Sequence, residues 1–401
     1  MIRKQDYNEY KLIDWNNNYY IFENGIIFNI NKNTILIPKE QKPQKEQNKD
    51  KNVYENVNQP SGLINHGHSC YINAILQCLI NCVPLTKYFL TKYVSNNYNT
   101  FSNLYQEFIK KYQKKDAYAA QNIANYFFSS DSSIKFTGSD SKDFLLDFCD
   151  KIQSELKNSE MSVVIDESTN PENYKSVLEE RIKLDKADYS IIYECFNFWI
   201  GNEQNCYNYR CPKYKKTMYE IRSESYFMFY LSEIFNKKCA CSGKRRGNSN
   251  KLTLNDCFHY YLLEKGNCAY CQNNIEVKNK IYKLPNILII VLNRGNNNQF
   301  NVSIDFNEEL YLNDYYQKLK IKPNISGTEY EKCPKYILLC GTILLKDYYN
   351  PGKGHTIAFA RDYHGKYNVY DDIKINNNID FQSIKNKDVY ILFYQMEKNH
   401  H

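Results

Sequence analysis

The stretch Gly62-Leu63-Ile64-Asn65-His66-Gly67-His68-Ser69-Cys70-Tyr71-Ile72-Asn73-Ala74-Ile75-Leu76-Gln77-Cys78-Leu79 decides how this chain is read. Through Ser69 it is loop-like: two glycines, an asparagine, two histidines and a serine. From Cys70 onward Ile72, Ile75, Leu76, Leu79 and Ile80 recur at helical spacing, which turns one apolar face toward a core. Ser69 is placed to cap that helix, so Cys70 falls in its first turn. A thiol there meets the positive end of the helix dipole and unpaired backbone N–H groups. Both favour the thiolate, the form that attacks a carbonyl. Asn65 carries an amide donor that, folded back toward the sulfur, would hold an oxyanion. The same residues also suit an inert cysteine buried at a helix start, since free cysteine is among the most buried residue types. A catalytic reading therefore needs partners elsewhere in the chain.

Those partners stand far downstream. Gly352-Lys353-Gly354-His355-Thr356-Ile357-Ala358-Phe359-Ala360 places a histidine after two glycines at a strand start. Asp371 and Asp372 follow the strand-like Tyr367-Asn368-Val369-Tyr370. Two neighbouring antiparallel strands can hold His355 and Asp371 side by side, with the carboxylate orienting the imidazole and stabilising its charged form. The runs Tyr336–Leu345, His355–Arg361, Tyr367–Tyr370 and Val389–Gln395, separated by turn residues, read as an antiparallel sheet. Ile281 to Leu292 reads as one central strand.

Between the two halves the chain is mostly helical to about residue 187. Gly138-Ser139-Asp140-Ser141-Lys142-Asp143-Phe144-Leu145-Leu146-Asp147-Phe148 begins a helix there, with Asp140 and Asp143 at its dipole-favoured start. Cys206 and Cys211 follow, and Cys268-Ala269-Tyr270-Cys271 closes the set. Two cysteine pairs far apart in sequence suit a tetrahedral Cys₄ zinc site, joining the ends of two hairpins that have little core of their own. Cys239-Ala240-Cys241 is a rival pair whose single-residue gap chelates poorly, and Lys238 to Asn250 reads as a polar, mobile insertion. His66 and His68 alternate in a loop with no carboxylate nearby, which favours solvent over a metal. At the N-terminus, Tyr19–Phe22 and Ile26–Ile30 flank Glu23-Asn24-Gly25 as a hairpin signal, and residues 39–59 are a polar linker.

Composition limits the alternatives. The 401 residues, 42% of them hydrophobic, suffice for a large core and more than one lobe. No apolar run reaches a membrane span, and no secretory signal opens the chain. Fourteen cysteines in a chain without an export signal read as thiols and metal ligands, which points to an intracellular protein of cytoplasm or nucleus. The net charge of +7 is spread along the chain, and clusters such as Lys244-Arg245-Arg246 are short, so nothing here argues for nucleic acid.

Taken together, these segments resemble the ubiquitin-specific protease family of deubiquitinases from about Pro60 to Tyr394. Gly62, Leu63, Asn65, Gly67, Cys70, Tyr71, Asn73, Leu76, Gln77 and Leu79 fall in register with its cysteine box, with His68-Ser69 replacing the usual Asn-Thr. Gly354-His355 and Tyr370-Asp371-Asp372 are similar to its histidine box, Leu284-Pro285 to its Leu-Pro strand, and Val389-Tyr390-Ile391-Leu392-Phe393-Tyr394 to its closing strand. The resemblance implies an α+β, papain-like hand: a helical thumb (about 60–187), zinc-tipped β fingers (about 188–280) and an antiparallel β palm (about 281–396). It implies a thiol-dependent hydrolase that cuts after the C-terminal glycine of ubiquitin. Cys70 would be nucleophile, His355 general base, Asp371 the third residue, Asp372 an auxiliary acid, and Asn65 with the Cys70 N–H the oxyanion donors. Asp140 and Asp143 would contact ubiquitin's arginine-bearing tail, although Asp143 stands where Glu is usual and Gly138 where Gln is. Cys206, Cys211, Cys268 and Cys271 would hold one structural zinc, the first pair on a longer loop than the family's C-x-x-C. Gly352 and Gly354 would wall a passage admitting only glycines. Ubiquitin and ubiquitinated proteins are the implied partners, with residues 1–59 free to join a larger complex. Departures at the Gln, Lys-Arg-Phe and Tyr positions keep two alternatives open: a weakly active or inactive ubiquitin-binding scaffold, and a protease for another ubiquitin-like modifier.

Overall fold

A computed structural model describes residues 11–15, 18–23, 26–29, 34–36, 60–94, 100–130, 139–157, 170, 172–242, 251–295, 300–321, 323, 325–346, 354–385 and 388–397. The 39–59 linker, Gly138, Lys244-Arg245-Arg246 and Gly352 lie outside them. The chain divides into two units, Met1–Tyr54 and Glu55–His401. In the first, β1 (Lys11–Trp15), β2 (Asn18–Glu23), β3 (Ile26–Asn29) and β4 (Thr34–Leu36) form an antiparallel meander, of which the expected hairpin is the β2–β3 step.

The second unit opens with helices α1 (Cys70–Asn81), α2 (Val83–Thr91), α3 (Phe101–Gln113), α4 (Gln121–Ser130), α5 (Ser141–Leu156), α6 (Tyr174–Ala187) and α7 (Ile191–Phe196). Every residue of α1 after Cys70 is buried, polar Asn73 and Gln77 included. Those two amides are not wasted in the core. Gln77 Nε2 donates to the Ser61 carbonyl at 2.7 Å and Gln77 Oε1 accepts from Tyr112 at 2.7 Å, so the loop before the cysteine is tied along the helix.

β5 (Phe198–Asn205) and β6 (Thr217–Glu224) make a long antiparallel pair. After β7 (Phe227–Tyr230), α8 (Leu231–Ser242), β8 (Lys251–Thr253) and α9 (Leu254–Leu262), β9 (Leu263–Asn267) and β10 (Asn274–Lys278) form a second hairpin. Helix α8 includes Lys238 to Ser242, so the first part of the expected polar loop is helical. Cys239 and Cys241 lie on it, and neither belongs to a metal-binding group among the described residues.

The remaining strands are β11 (Lys280–Lys283), β12 (Ile287–Asn293), β13 (Ser303–Asp305), β14 (Glu309–Leu310), β15 (Tyr336–Lys346), β16 (Gly354–Arg361), β17 (Tyr367–Asp371), β18 (Lys374–Ile379) and β19 (Val389–Met396), with α10 (Phe381–Lys385) before the last. The main sheet runs β18-β17-β16-β15-β19-β12-β7, with β14 on β15. Two expectations are corrected here. Ile281–Leu292 is not one strand: β11 pairs with β5, whereas β12 pairs with β19. Pro285 lies at the break, where its missing N–H and fixed φ interrupt a ladder. The sheet also takes β7, parallel to β12, from the range expected for the fingers. The core under the sheet includes Phe198, Phe227, Phe258, Ile290, Tyr336, Ile343, Phe359, Leu392 and Tyr394.

Candidate active site

The cysteine box meets the sheet at the β17–β18 turn. Asp372 and Ile373 form that two-residue turn, with Asp372 at φ 50°, a left-handed conformation that aspartate tolerates. The Leu63 N–H donates to the Asp372 carbonyl at 2.9 Å. A Cβ at Gly62 would lie 2.3 Å from the Ile373 carbonyl oxygen, so only glycine permits this approach. Both carboxylate oxygens of Asp372 are engaged: Oδ2 accepts from Asn65 Nδ2 at 2.9 Å and Oδ1 from Asn73 Nδ2 at 2.8 Å. One turn thus fixes both ends of the loop that delivers Cys70.

Within that loop Gly67 takes φ 77°, which lets the chain reverse before the helix. Ser69 occupies the position before α1, but its side chain makes no cap hydrogen bond. This corrects the capping expectation. Its hydroxyl instead accepts from the His66 N–H at 2.8 Å and donates to Asn65 Oδ1 at 3.2 Å; the same oxygen accepts from the Ser69 N–H at 2.9 Å. The turn, rather than the helix N–H groups, takes the hydroxyl. Asn65 is consequently clamped at its carbonyl oxygen and through one hydrogen of its amide, leaving one donor hydrogen. Cys70 opens α1, half-buried.

His355 is brought to it from β16. The register pairs Ala358 with Tyr370, so His355 and Asp371 fall on one face as diagonal neighbours. His355 Nε2 lies 2.6 Å from Asp371 Oδ1. Its other ring nitrogen is left for Cys70, whose thiol lies near enough to favour the charged ring. Interaction with Cys70, and then the Asp371 hydrogen bond and charges, raise His355 to about 9 against the opposing effect of burial. The imidazole is therefore a cation at neutral pH. His355, Asp371 and Asp372 place their ligand atoms within 4.8 Å of one another. Asp372 nevertheless serves the loop rather than the imidazole, because Asn65 and Asn73 hold both its oxygens.

The tail-site pair is divided by its surroundings. Asp140 caps α5, Oδ1 accepting from the Lys142 N–H at 2.8 Å, and Oδ2 accepts from the Tyr390 hydroxyl at 2.8 Å. Asp143, in the first turn, keeps 59% of its side chain exposed and pairs with Lys142 Nζ at 2.6 Å. Asp143 is thus the carboxylate with an open face. His66 packs on the Tyr118 ring, and burial lowers its pKa. Neither His66 nor His68 belongs to a metal-binding group among the described residues.

The expected zinc ligands converge. Cys206 and Cys211 end the β5–β6 pair and Cys268 and Cys271 the β9–β10 hairpin, all four sulfurs within 4.8 Å of one another. Cys206 and Cys271 sulfurs are 3.5 Å apart, and those of Cys211 and Cys268 3.7 Å. A tetrahedron of sulfurs about zinc at ~2.3 Å has edges of ~3.8 Å, so the set fits that ion. The Lys213 N–H donates to the Cys211 sulfur at 3.4 Å, as bound thiolates require of their surroundings. These four cysteines can hold a zinc.

Asn73 and Tyr390 had been given no role from the sequence, and Ser69 only that of a helix cap. Asn73 stood inside the quoted box, and its burial on a largely apolar helix is a signal that its contacts with Asp372 and the Ile64 carbonyl explain.

The comparisons bear on all of this. A family model described as ubiquitin carboxyl-terminal hydrolase matches residues 61–394. Ubiquitin carboxyl-terminal hydrolase 25 of Arabidopsis thaliana is 23% identical over 364 residues, covering 84% of this chain and 47% of that protein. Ubiquitin carboxyl-terminal hydrolase 16 of the same plant is 25% identical over 361 residues, covering 84% and 30%. The chain therefore spans half or less of the length of these relatives. Among solved structures it resembles Ubp8 in the SAGA Ubp8/Sgf11/Sus1/Sgf73 DUB module bound to ubiquitin aldehyde. The TM-score is 0.60 at 15% identity, covering 94% of this chain and 81% of that one. The fold is accordingly the α+β papain-like hand.

Proposed function

Because the chain belongs to the ubiquitin carboxyl-terminal hydrolase family, matched across residues 61–394, we propose that it is a cysteine-type deubiquitinase that hydrolyses the bond after the C-terminal glycine of ubiquitin. The observation that carries this reading is His355, hydrogen-bonded to Asp371 and set beside Cys70 at the start of α1 in that fold.

The steps follow from the geometry. The cationic imidazole holds the proton taken from Cys70, leaving sulfur to attack the glycine carbonyl carbon. Negative charge develops on the carbonyl oxygen, where the free hydrogen of Asn65 Nδ2 and the Cys70 N–H are its donors. Asp372 and Ser69 make Asn65 a fixed donor rather than one that reorganises. His355 gives its proton to the departing lysine amine, and the thioester forms as the C–N bond breaks. Water, activated by the now neutral His355, attacks the thioester and releases ubiquitin. Asp371 keeps the ring oriented throughout.

Cys206, Cys211, Cys268 and Cys271 would hold zinc in a structural role, distant in the chain from the chemistry. Asp143 is the group we assign to an arginine of the ubiquitin tail, with Asp140 positioning its helix. Ubiquitinated proteins are the substrates, and residues 1–59 offer a surface for further subunits. No two of the fourteen cysteines are joined in a disulfide, which supports a reducing intracellular compartment.

The test is reaction with an electrophile fused to the ubiquitin C-terminus, together with di-ubiquitin cleavage. Covalent capture at Cys70 and cleavage lost in Cys70→Ala are expected. Cleavage by Cys70→Ala protein sinks the mechanism; binding of ubiquitin without capture supports the scaffold alternative, and capture only by another modifier's probe reassigns the substrate.

A further inference from the structure

The fingertip carries a surface that neither zinc ligation nor the proposed chemistry uses. Tyr207, Tyr209, Tyr214 and Tyr270 lie on the segments that carry the four cysteines and are 74, 72, 40 and 47% exposed. Cations alternate with them in Cys206-Tyr207-Asn208-Tyr209-Arg210-Cys211-Pro212-Lys213-Tyr214-Lys215-Lys216. The Arg210 guanidinium lies 5.3 Å from the Tyr209 ring centre, Lys213 Nζ 4.8 Å from that of Tyr270, and Lys215 Nζ 5.2 Å from that of Tyr214. Among the described residues Glu172 answers this charge, pairing with Lys213 and with Lys216. Arg210 and Lys215 have no carboxylate partner among the described residues.

We propose that the fingertip binds single-stranded RNA, stacking bases on Tyr207 and Tyr209 and laying phosphates along Arg210 and Lys215. An acidic protein surface would satisfy the cations, but it does not repeat a flat face and a charge in the way rings and cations alternate here. An unpaired nucleotide strand offers a π-face for each ring and a phosphate for each cation. The rings sit on short loops that converging cysteines hold at fixed spacing, a small zinc-braced platform suited to splayed bases. Duplex DNA is a poorer fit, because its bases are paired and stacked on one another, so their faces are not open to the rings. Ribose is favoured over deoxyribose by the Tyr209 hydroxyl, which accepts from Arg210 Nε at 3.0 Å and keeps its proton for a 2′-OH. The sequence alone did not argue for nucleic acid, because the basic clusters in it are short; the zinc loops set this one among exposed rings.

Fluorescence anisotropy of a labelled oligouridine of about a dozen nucleotides on the zinc-loaded full chain tests this. Binding is expected at about 50 mM salt and weaker at about 200 mM. Tyr207→Ala with Tyr209→Ala should weaken it at least ~10-fold, whereas the Phe pair at the same positions should stay within ~3-fold. Arg210→Gln with Lys215→Gln should flatten the log–log salt slope by about 1.4. DNA of matching sequence should bind less tightly. No binding at the lower salt, an unchanged alanine pair, an unchanged salt slope or equal affinity for DNA each overturns the proposal. Zinc content is measured on every variant. If the alanine pair loses zinc, the Phe and Gln pairs, which retain loop packing, decide.

Discussion

The palm end of this molecule and its fingertip hold functional groups in place by opposite means. At the palm, His355 and Asp371 stand on strands backed by Ile343, Ile357, Phe359, Leu392 and Tyr394, and the cysteine loop is pinned by hydrogen bonds to Asp372. At the fingertip the buried cluster consists of Cys206, Cys211 and Cys268, with Cys271 and Ile275 packed against it. Apolar burial supplies the first region with its own stability. The second has too little apolar surface to order two hairpin ends, so ligand bonds must supply what burial does not. Geometry at the palm should therefore persist without any ligand, while the fingertip should depend on its metal.

The largest effects should come from removing reacting atoms, which breaks function at the palm without touching its scaffold. Cys70→Ala and His355→Ala should each lower kcat/KM for a fluorogenic ubiquitin substrate by ~10³-fold or more, with both variants still folded and His355→Ala less stable only by what its cation contributes. If either variant unfolded instead, the site would be part of the scaffold and the contrast with the fingertip would fail.

Metal removal probes the other side. Cys268→Ser, or a strong chelator, should release a near-stoichiometric zinc and raise hydrogen exchange in 198–224 and 263–278. Exchange in 336–346 and 389–396 should stay as it was. Uniform loosening of all four segments would show that the regions share one stability.

A smaller effect separates the two neighbouring aspartates. His355 is held at about 9, above its ordinary 6.5, so it is more readily protonated folded than unfolded. The stabilisation from this cation is complete below the unfolded value and is lost as pH rises through about 9. The alkaline limb of kcat/KM should fall in the same window, as His355 loses the proton it gives the leaving amine. Asp371→Asn should move that limb to lower pH. Asp372→Asn should leave the limb in place and lower kcat, since it loosens Asn65 rather than the imidazole. A limb shifted equally by both would make them one functional pair.

The smallest effects concern the α5 start. Asp143→Asn should raise KM a few-fold with kcat unchanged, the mark of lost uniform binding. Asp140→Ala should instead lower stability, by ~0.5–2 kcal/mol for the lost cap. KM raised by Asp140→Ala alone would reverse these assignments.

Much of this was legible in residues that follow each other. Helix α1 with Cys70 in its first turn, the strands that carry His355 and Asp371, and four cysteines in two pairs are set by periodicity and spacing. Strand β18 was not read, because Lys374-Ile375-Asn376-Asn377-Asn378-Ile379 lacks apolar alternation and needs none at a sheet edge. The division of Ile281–Leu292 was also missed: its β-branched run states only that a strand forms, and not which of two sheets each half joins.

The sequence by itself determined which side chains are chemically competent: a thiol at a helix start, an imidazole beside an acid, thiols enough for a metal. Only the tertiary structure decided what each polar group does once competitors for it are brought near. Asp372 was as able to serve His355 as Asp371 was, until Asn65 and Asn73 took both its oxygens. Asp140 was as able to meet a ligand as Asp143, until the Lys142 N–H and Tyr390 occupied it. Ser69 was placed to cap α1 until the turn claimed its hydroxyl. A hydrogen bond is short-ranged and directional, so its partner is chosen by ångström-scale proximity between residues as much as 307 positions apart, which local pattern does not encode.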